Sequence, residues 1–210
     1  MPKGYWIPHI DVRDPEGYKA YTAATPAAHE KYHGVALVRG GQCEVVEGSG
    51  RARNVLREFP DYAAALACYR SDEYQRARPL RLQHADCDFI IAEGYHGPQP
   101  PCSPSAPPES TRKGYWIVHV DVTEPEGFRA YMVANQRAFG NFGARYLVRG
   151  GAIEVPEGKA RARTVVIEFP SYDAARACYR SDEYQAAKKL RDGKGQADVV
   201  IVEGYEGAKF

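Results

Sequence analysis

What most constrains this chain is that it says nearly the same thing twice. Lys3-Gly4-Tyr5-Trp6-Ile7 returns as Lys113-Gly114-Tyr115-Trp116-Ile117, an offset of 110 residues. The offset holds without a gap through Leu37-Val38-Arg39-Gly40-Gly41, Cys68-Tyr69-Arg70-Ser71-Asp72-Glu73-Tyr74-Gln75 and Glu93-Gly94-Tyr95. About half of the aligned positions are identical, which marks the duplication and fusion of one unit. Between the copies Pro98, Pro100, Pro101, Pro104, Pro107 and Pro108 favour extended polyproline II over packing. The expected organisation is therefore a module at 1–97, a linker at 98–112 and a second module at 113–210.

Each module reads as a small α+β unit. From Gly4 to Val12 the pattern alternates, with Trp6, Pro8, Ile10 and Val12 on one face and Tyr5, Ile7, His9 and Asp11 on the other. Asp14-Pro15-Glu16 opens a helix, with Asp14 as cap and Tyr18, Tyr21, Ala28 and Tyr32 on one stripe. In the second copy Thr123 and Glu126 suggest a capping box. Val35 to Val46 reads as a strand interrupted by Gly40-Gly41, a bulge or close-approach signal, and Arg53 to Phe59 as the next strand. Two helical segments come next, the second capped by Ser71, and Asp88 to Glu93 closes the unit as a strand.

The order βαββαβ predicts a ferredoxin-like antiparallel sheet with helices on one face only. Its other face, bearing Tyr5 and Ile7, needs a cover. The fused second copy supplies one at high effective concentration, so the fold class expected is two such modules packed sheet to sheet as an intramolecular pseudo-dimer with a cavity between the sheets.

These residues resemble the DUF1330 family of the dimeric α+β barrel superfamily. The resemblance rests on Tyr115-Trp116-Ile117, Glu124-Pro125-Glu126, Tyr146-Leu147-Val148-Arg149-Gly150-Gly151, Ile167-Glu168-Phe169-Pro170, Tyr179-Arg180-Ser181-Asp182-Glu183-Tyr184 and Glu203-Gly204. It covers both modules and implies a fold whose members pair as dimers, here with both halves in one chain. Related barrel families include cofactor-independent monooxygenases, isomerases, cyclases, haem-degrading enzymes and stress proteins, so the resemblance implies fold more than chemistry.

Polar groups expected between the sheets carry the functional reading. His9 and His119 sit mid-strand opposite the tryptophans and suit proton transfer near neutral pH; the alternative is a histidine bonded to a neighbouring strand. Glu58 and Glu168 are expected to face the same cavity, as bases, as partners of the histidines, or paired with Arg39 and Arg149. The arginines, each followed by two glycines, suit an anionic substrate, and Tyr5 and Tyr115 could donate hydrogen bonds or simply pack. Arg145 and Tyr146 stand where the first copy has Val35 and Ala36, marking one half-site as changed. Tyr69, Tyr74, Tyr179 and Tyr184 read as core or rim, and His29, His33, His84 and His96 as surface, with His29 and His33 on one helical face at i, i+4 that could reach the cavity rim.

Several classes are disfavoured. The net charge is +1 with no basic cluster, which argues against nucleic acid. No apolar run approaches a membrane span, and Met1 to Trp6 passes straight into the strand pattern without a leader, so the chain is read as cytoplasmic. The five cysteines lack a CxxC and are read as reduced thiols. No Walker loop, GxSxG or GxGxxG appears, so no cofactor is expected. A metal would require His9, His119, Glu58 and Glu168 to converge, and no ligand spacing supports that. The expectation is a small-molecule enzyme using cofactor-free acid-base chemistry of isomerase, cyclase, hydrolase or monooxygenase type on an anionic or aromatic compound. The alternative is a non-catalytic binding or stress-associated protein.

Overall fold

The computed structural model describes residues 1–208. In the first module β1 (Gly4–Val12) is followed by α1 (Pro15–Ala24), α2 (Pro26–Lys31), β2 (Val35–Arg39), β3 (Cys43–Glu47), β4 (Arg53–Phe59), α3 (Tyr62–Arg70), α4 (Asp72–Leu82) and β5 (Ala85–Glu93). The second module repeats the plan as β6 (Gly114–Val122), α5 (Pro125–Asn141), β7 (Arg145–Arg149), β8 (Ile153–Glu157), β9 (Arg163–Phe169), α6 (Tyr172–Arg180), α7 (Asp182–Lys189) and β10 (Gly195–Glu203).

The sheets are ordered β2-β4-β1-β5-β8 and β3-β10-β6-β9-β7. Each therefore contains the four-strand ferredoxin-like order plus one strand from the other module. The interrupted strand of the sequence is two strands in two sheets, and Gly40 and Gly41, at φ of 76° and 115°, are where the chain leaves one sheet for the other. Left-handed backbone at two successive positions is open to glycine without steric cost, which is why the pair recurs as Gly150 and Gly151.

The exchanged strands are clasped by ions. Glu157 on β8 is met at 2.6 Å by Arg81, which is 0% exposed, and takes a bond from Tyr69 at 2.8 Å. Burial alone would raise the Glu157 pKa, but Arg81, Tyr69 and Arg78 outweigh it and hold the carboxyl low. On the reciprocal arm Glu47 is bonded by Arg191 at 2.5 Å and Glu44 by Arg180 at 2.7 Å.

Alternation along β1 and β6 divides the cores as expected. Trp6 and Ile10 join the helices of module 1, and Trp116 those of module 2. Tyr5, Ile7, Val38, Leu56 and Ile90 meet Tyr115, Ile117, Val148, Val166 and Val200 between the sheets. Each such aliphatic side chain contributes about 1.5–3 kcal/mol by leaving water, so truncating Ile7 or Ile117, both 0% exposed, would loosen the joint between modules most directly.

Local details correct two expectations. Asp14 caps α1 by accepting from the backbone N–H groups of Glu16 and Gly17. The capping box of Thr123 and Glu126 does not form: Glu124 holds the cap position of α5 and makes no side-chain cap bond, its longer side chain replacing the compact Asp14. The proline-rich segment is also docked rather than free-standing. Gln99 accepts from the Tyr146 N–H at 2.7 Å and donates to its carbonyl at 3.1 Å, which mimics a strand partner on the open edge of β7. Cys68 and Cys178 are fully buried in the helix-side cores, and burial raises both thiols. No helix among the described residues is long and apolar enough to cross a membrane.

Candidate functional site

The space between the sheets is filled by apolar side chains along most of its length and opens at one end. There a cavity of about 460 Å³ is lined by His9, His119, Asp88, Asp198, Arg51 and Arg161, with the turns after β3 and β8 at its rim. The two histidines, 6% and 9% exposed, meet across the pseudo-two-fold axis with their Nε2 atoms 2.8 Å apart.

The hydrogen-bond network fixes which nitrogens carry protons. Antiparallel register places Asn54 beside His9 and Thr164 beside His119. Asn54 Nδ2 donates to the Arg51 carbonyl at 3.2 Å, so Oδ1 is the atom facing His9 Nδ1 at 2.6 Å. His9 must then donate from Nδ1, and its Nε2 keeps a lone pair. His119 supplies the proton between the rings from its own Nε2, which leaves its Nδ1 to accept from the Thr164 hydroxyl at 3.1 Å. The two imidazoles are thus neutral and in opposite tautomers. Burial lowers the pKa of both, His119 to about 3 with a further push from His9.

A ring of ion pairs surrounds the histidines, two arginines set among four aspartates. Arg51 bridges Asp88 at 2.6 Å and Asp11 at 2.8 Å; Arg161 bridges Asp198 at 2.6 Å and Asp121 at 2.9 Å. The exchanged arms contribute as well: the Ser49 N–H donates to Asp198 and the Lys159 N–H to Asp88, each from the opposite module at 2.9 Å. The cavity is therefore complete only when both modules are present.

The structure separates the other expected residues from this pair. Glu58 and Glu168 face the inter-sheet space but stand opposite Tyr5 and Tyr115, four residues along the strand from the histidines. Tyr5 donates to Glu58 at 2.9 Å and Tyr115 to Glu168 at 3.3 Å, and Lys3 lies 3.2 Å from Glu58. Antiparallel pairing fixes this, because residues on one strand face can still lie at opposite ends of it. The four candidate ligands thus do not converge, and among the described residues no group of three His, Cys, Asp or Glu could hold a metal. Arg39 and Arg149 project to the helix side of their sheets and do not pair with Glu58 or Glu168; their guanidiniums lie over Tyr205 and over Tyr95 and Tyr146. Arg145 is exposed on β7, while Tyr146 is buried and accepts from Gln136 at 2.7 Å. His29 is 7% exposed rather than on the surface, packed edge-on against Trp6.

Sequence reasoning passed over Asn54, Thr164, Arg51, Arg161 and the four aspartates. The signal was present: Arg51, Asp11 and Asp88 recur as Arg161, Asp121 and Asp198 at the repeat offset, whereas Asn54 becomes Thr164.

Two domains of unknown function (DUF1330) match residues 3–95 and 113–205, and the chain belongs to that family. The architecture is that of dimeric α+β barrel proteins. A candidate monooxygenase from Fusobacterium nucleatum subsp. nucleatum superposes with a TM-score of 0.55 at 11% identity, over 100% of this chain and 98% of its own. An anthrone oxidase-like protein gives 0.54 at 11% identity over 100% and 94%. A chlorite dismutase variant from Candidatus Nitrospira defluvii gives 0.50 at 10% identity over 94% and 91%. At such identities the likeness is one of fold. Among curated proteins no relative matches.

Proposed function

We propose that the protein is a cofactor-independent enzyme that moves a proton adjacent to the carbonyl of a small organic molecule bound in the axial cavity. The observation that carries this reading is the 2.8 Å contact between His9 and His119, with an amide oxygen of Asn54 on one outer nitrogen and the Thr164 hydroxyl on the other, beside the 460 Å³ cavity. A substrate entering between the rings replaces their mutual bond with two of its own. His9 Nε2 offers a lone pair to an acidic C–H, and His119 Nε2–H donates to the carbonyl oxygen.

As the proton passes to His9, negative charge grows on that oxygen and is met by the His119 N–H. Returning the proton to a different carbon completes an isomerisation, with nothing gained or lost. A neutral imidazole suits the electrophile's role because it polarises the oxygen without surrendering a full proton, as in triosephosphate isomerase.

The test is solvent exchange. Enolisable carbonyl compounds incubated with the protein in D2O should lose α-protons, read by NMR, and His9→Ala and His119→Ala should each slow this by about 100-fold or more. Exchange no faster than in buffer across the panel, or unchanged in both variants, would sink the reading. The second reading, binding without turnover, is favoured by the fact that all four ring nitrogens are already satisfied. It predicts binding to the same cavity with no exchange.

A further inference from the structure

We infer that the second module holds a separate site, on the helix side of its sheet, for a small carboxylate with an apolar tail. Arg149 at the end of β7 and Arg163 at the start of β9 line one cleft beneath α5 and α7. No aspartate or glutamate lines it; the third arginine of the lining, Arg191, is paired with Glu47, and among the described residues neither Arg149 nor Arg163 forms an ion pair. The Arg163 Nε is buried without a hydrogen-bond partner. Two guanidiniums taken partly out of water with no counter-ion are costly, and a carboxylate bridging them would offset the cost through charge-assisted bonds. Their mutual repulsion shows in the chemistry of Arg163, whose pKa is lowered first by burial and then by Arg149.

The rest of the cleft selects the tail. Asn135, 5% exposed, accepts from Gln136 through Oδ1, and its amide nitrogen makes no hydrogen bond among the described residues, so a donor is available beside the arginines. The walls are apolar: Phe128, Met132, Phe139, Val120, Val165 and Val199. The enclosed volume of about 60 Å³ takes the carboxylate and its first carbons, and half-buried Met132 and Tyr131 meet the remainder of the tail. The equivalent cleft of the first module keeps the arginine pair as Arg39 and Arg53, but Thr22, Thr25 and His29 replace Met132, Asn135 and Phe139. The apolar wall is therefore more continuous in the second module, where Met132 and Phe139 stand in place of Thr22 and His29.

The site lies across the sheet from His9 and His119, and its test is independent of theirs. Isothermal titration of the full chain with acetate, butyrate and hexanoate should show affinity rising about fourfold per methylene over the first two added carbons. Arg149→Gln and Arg163→Gln should each weaken hexanoate about tenfold or more, while Arg53→Gln and His119→Ala leave it unchanged. Thermal melts establish that each variant is folded, and Arg163→Lys, which keeps the charge but not the planar fork, gives an intermediate loss. No heat with hexanoate at millimolar concentration, equal affinity for acetate and hexanoate, or indifference to Arg163→Gln and Arg149→Gln would each overturn the inference.

Discussion

The two halves of the molecule share a backbone plan and differ where it matters for protons. His9 and His119 occupy identical positions, yet one answers to an amide oxygen that only accepts and the other to a hydroxyl that here donates. Two halves that both carried Asn at this position would hold both histidines protonated on Nδ1 and place two Nε2 lone pairs nose to nose. With both copies on one chain the two positions can differ, and Asn54 against Thr164 gives the bond its direction. The clasps differ too, for Arg81 and the Glu157 side chain are 0% and 6% exposed, against 8% and 12% for Arg191 and Glu47.

Breaking the clasps should give the largest effect. Glu157→Ala leaves Arg81 buried without its carboxylate and should cost about 3–5 kcal/mol by chemical denaturation. Glu47→Ala should cost less, because Arg191 is nearer to water. Equal losses would show that the difference in burial between the arms has no energetic meaning.

Acid is the next probe. A histidine whose folded pKa is lowered contributes stability that is fully present above its unfolded value of about 6.5. Below that the unfolded chain takes up protons first, so stability should fall progressively from pH 6.5 towards the folded value of about 3 for His119. Each unit of depression corresponds to about 1.4 kcal/mol. Replacing His119 by a neutral isostere should flatten that window, and denaturant midpoints against pH would measure it.

Exchanging the tautomer-setting residues sharpens the comparison further. Thr164→Asn sets an amide oxygen at both Nδ1 atoms, so both histidines donate from Nδ1 and two Nε2 lone pairs face each other, which should cost about 1–3 kcal/mol at neutral pH. The loss should shrink in mild acid, where one added proton restores the bond, opposite to the wild-type trend. Asn54→Thr combined with Thr164→Asn should recover most of the stability with the bond reversed, which imidazole 15N chemical shifts would show. The smallest effect expected is at the docked linker: Gln99→Ala removes two bonds to Tyr146 and should cost about 0.5–1.5 kcal/mol.

Much of the fold was legible because periodicity and repetition are local signals. The alternation of β1 assigns Trp6 to one core and Tyr5 and Ile7 to another, as found. The exchange of β3 and β8 was not, since Gly40-Gly41 announces a change of direction without saying which sheet receives the chain. The site divides in the same way. That His9 and His119 share a face comes from their strand positions, but their pairing at 2.8 Å is a consequence of how two sheets meet. Glu58 looked equivalent to His9 by face and proved distant by register. Arg39 and Arg149 could be read for charge but not for side of the sheet.

The exchanged strands also set an order of assembly during synthesis. The first sheet lacks its edge until residues 153–157 have been made, and the clasp on Arg81 arrives with Glu157. A ribosome that has finished the first module has therefore produced an open edge beside β5 and a protruding β3 with no sheet to join. The emerging chain must hold these exposed through nearly the whole second module, since β3 pairs with β10 at residues 195–203. Contacts of such sequence separation slow folding and expose strand edges to other copies. Tandem fusion shortens that interval, because the partner strands arrive on the same chain instead of by diffusion.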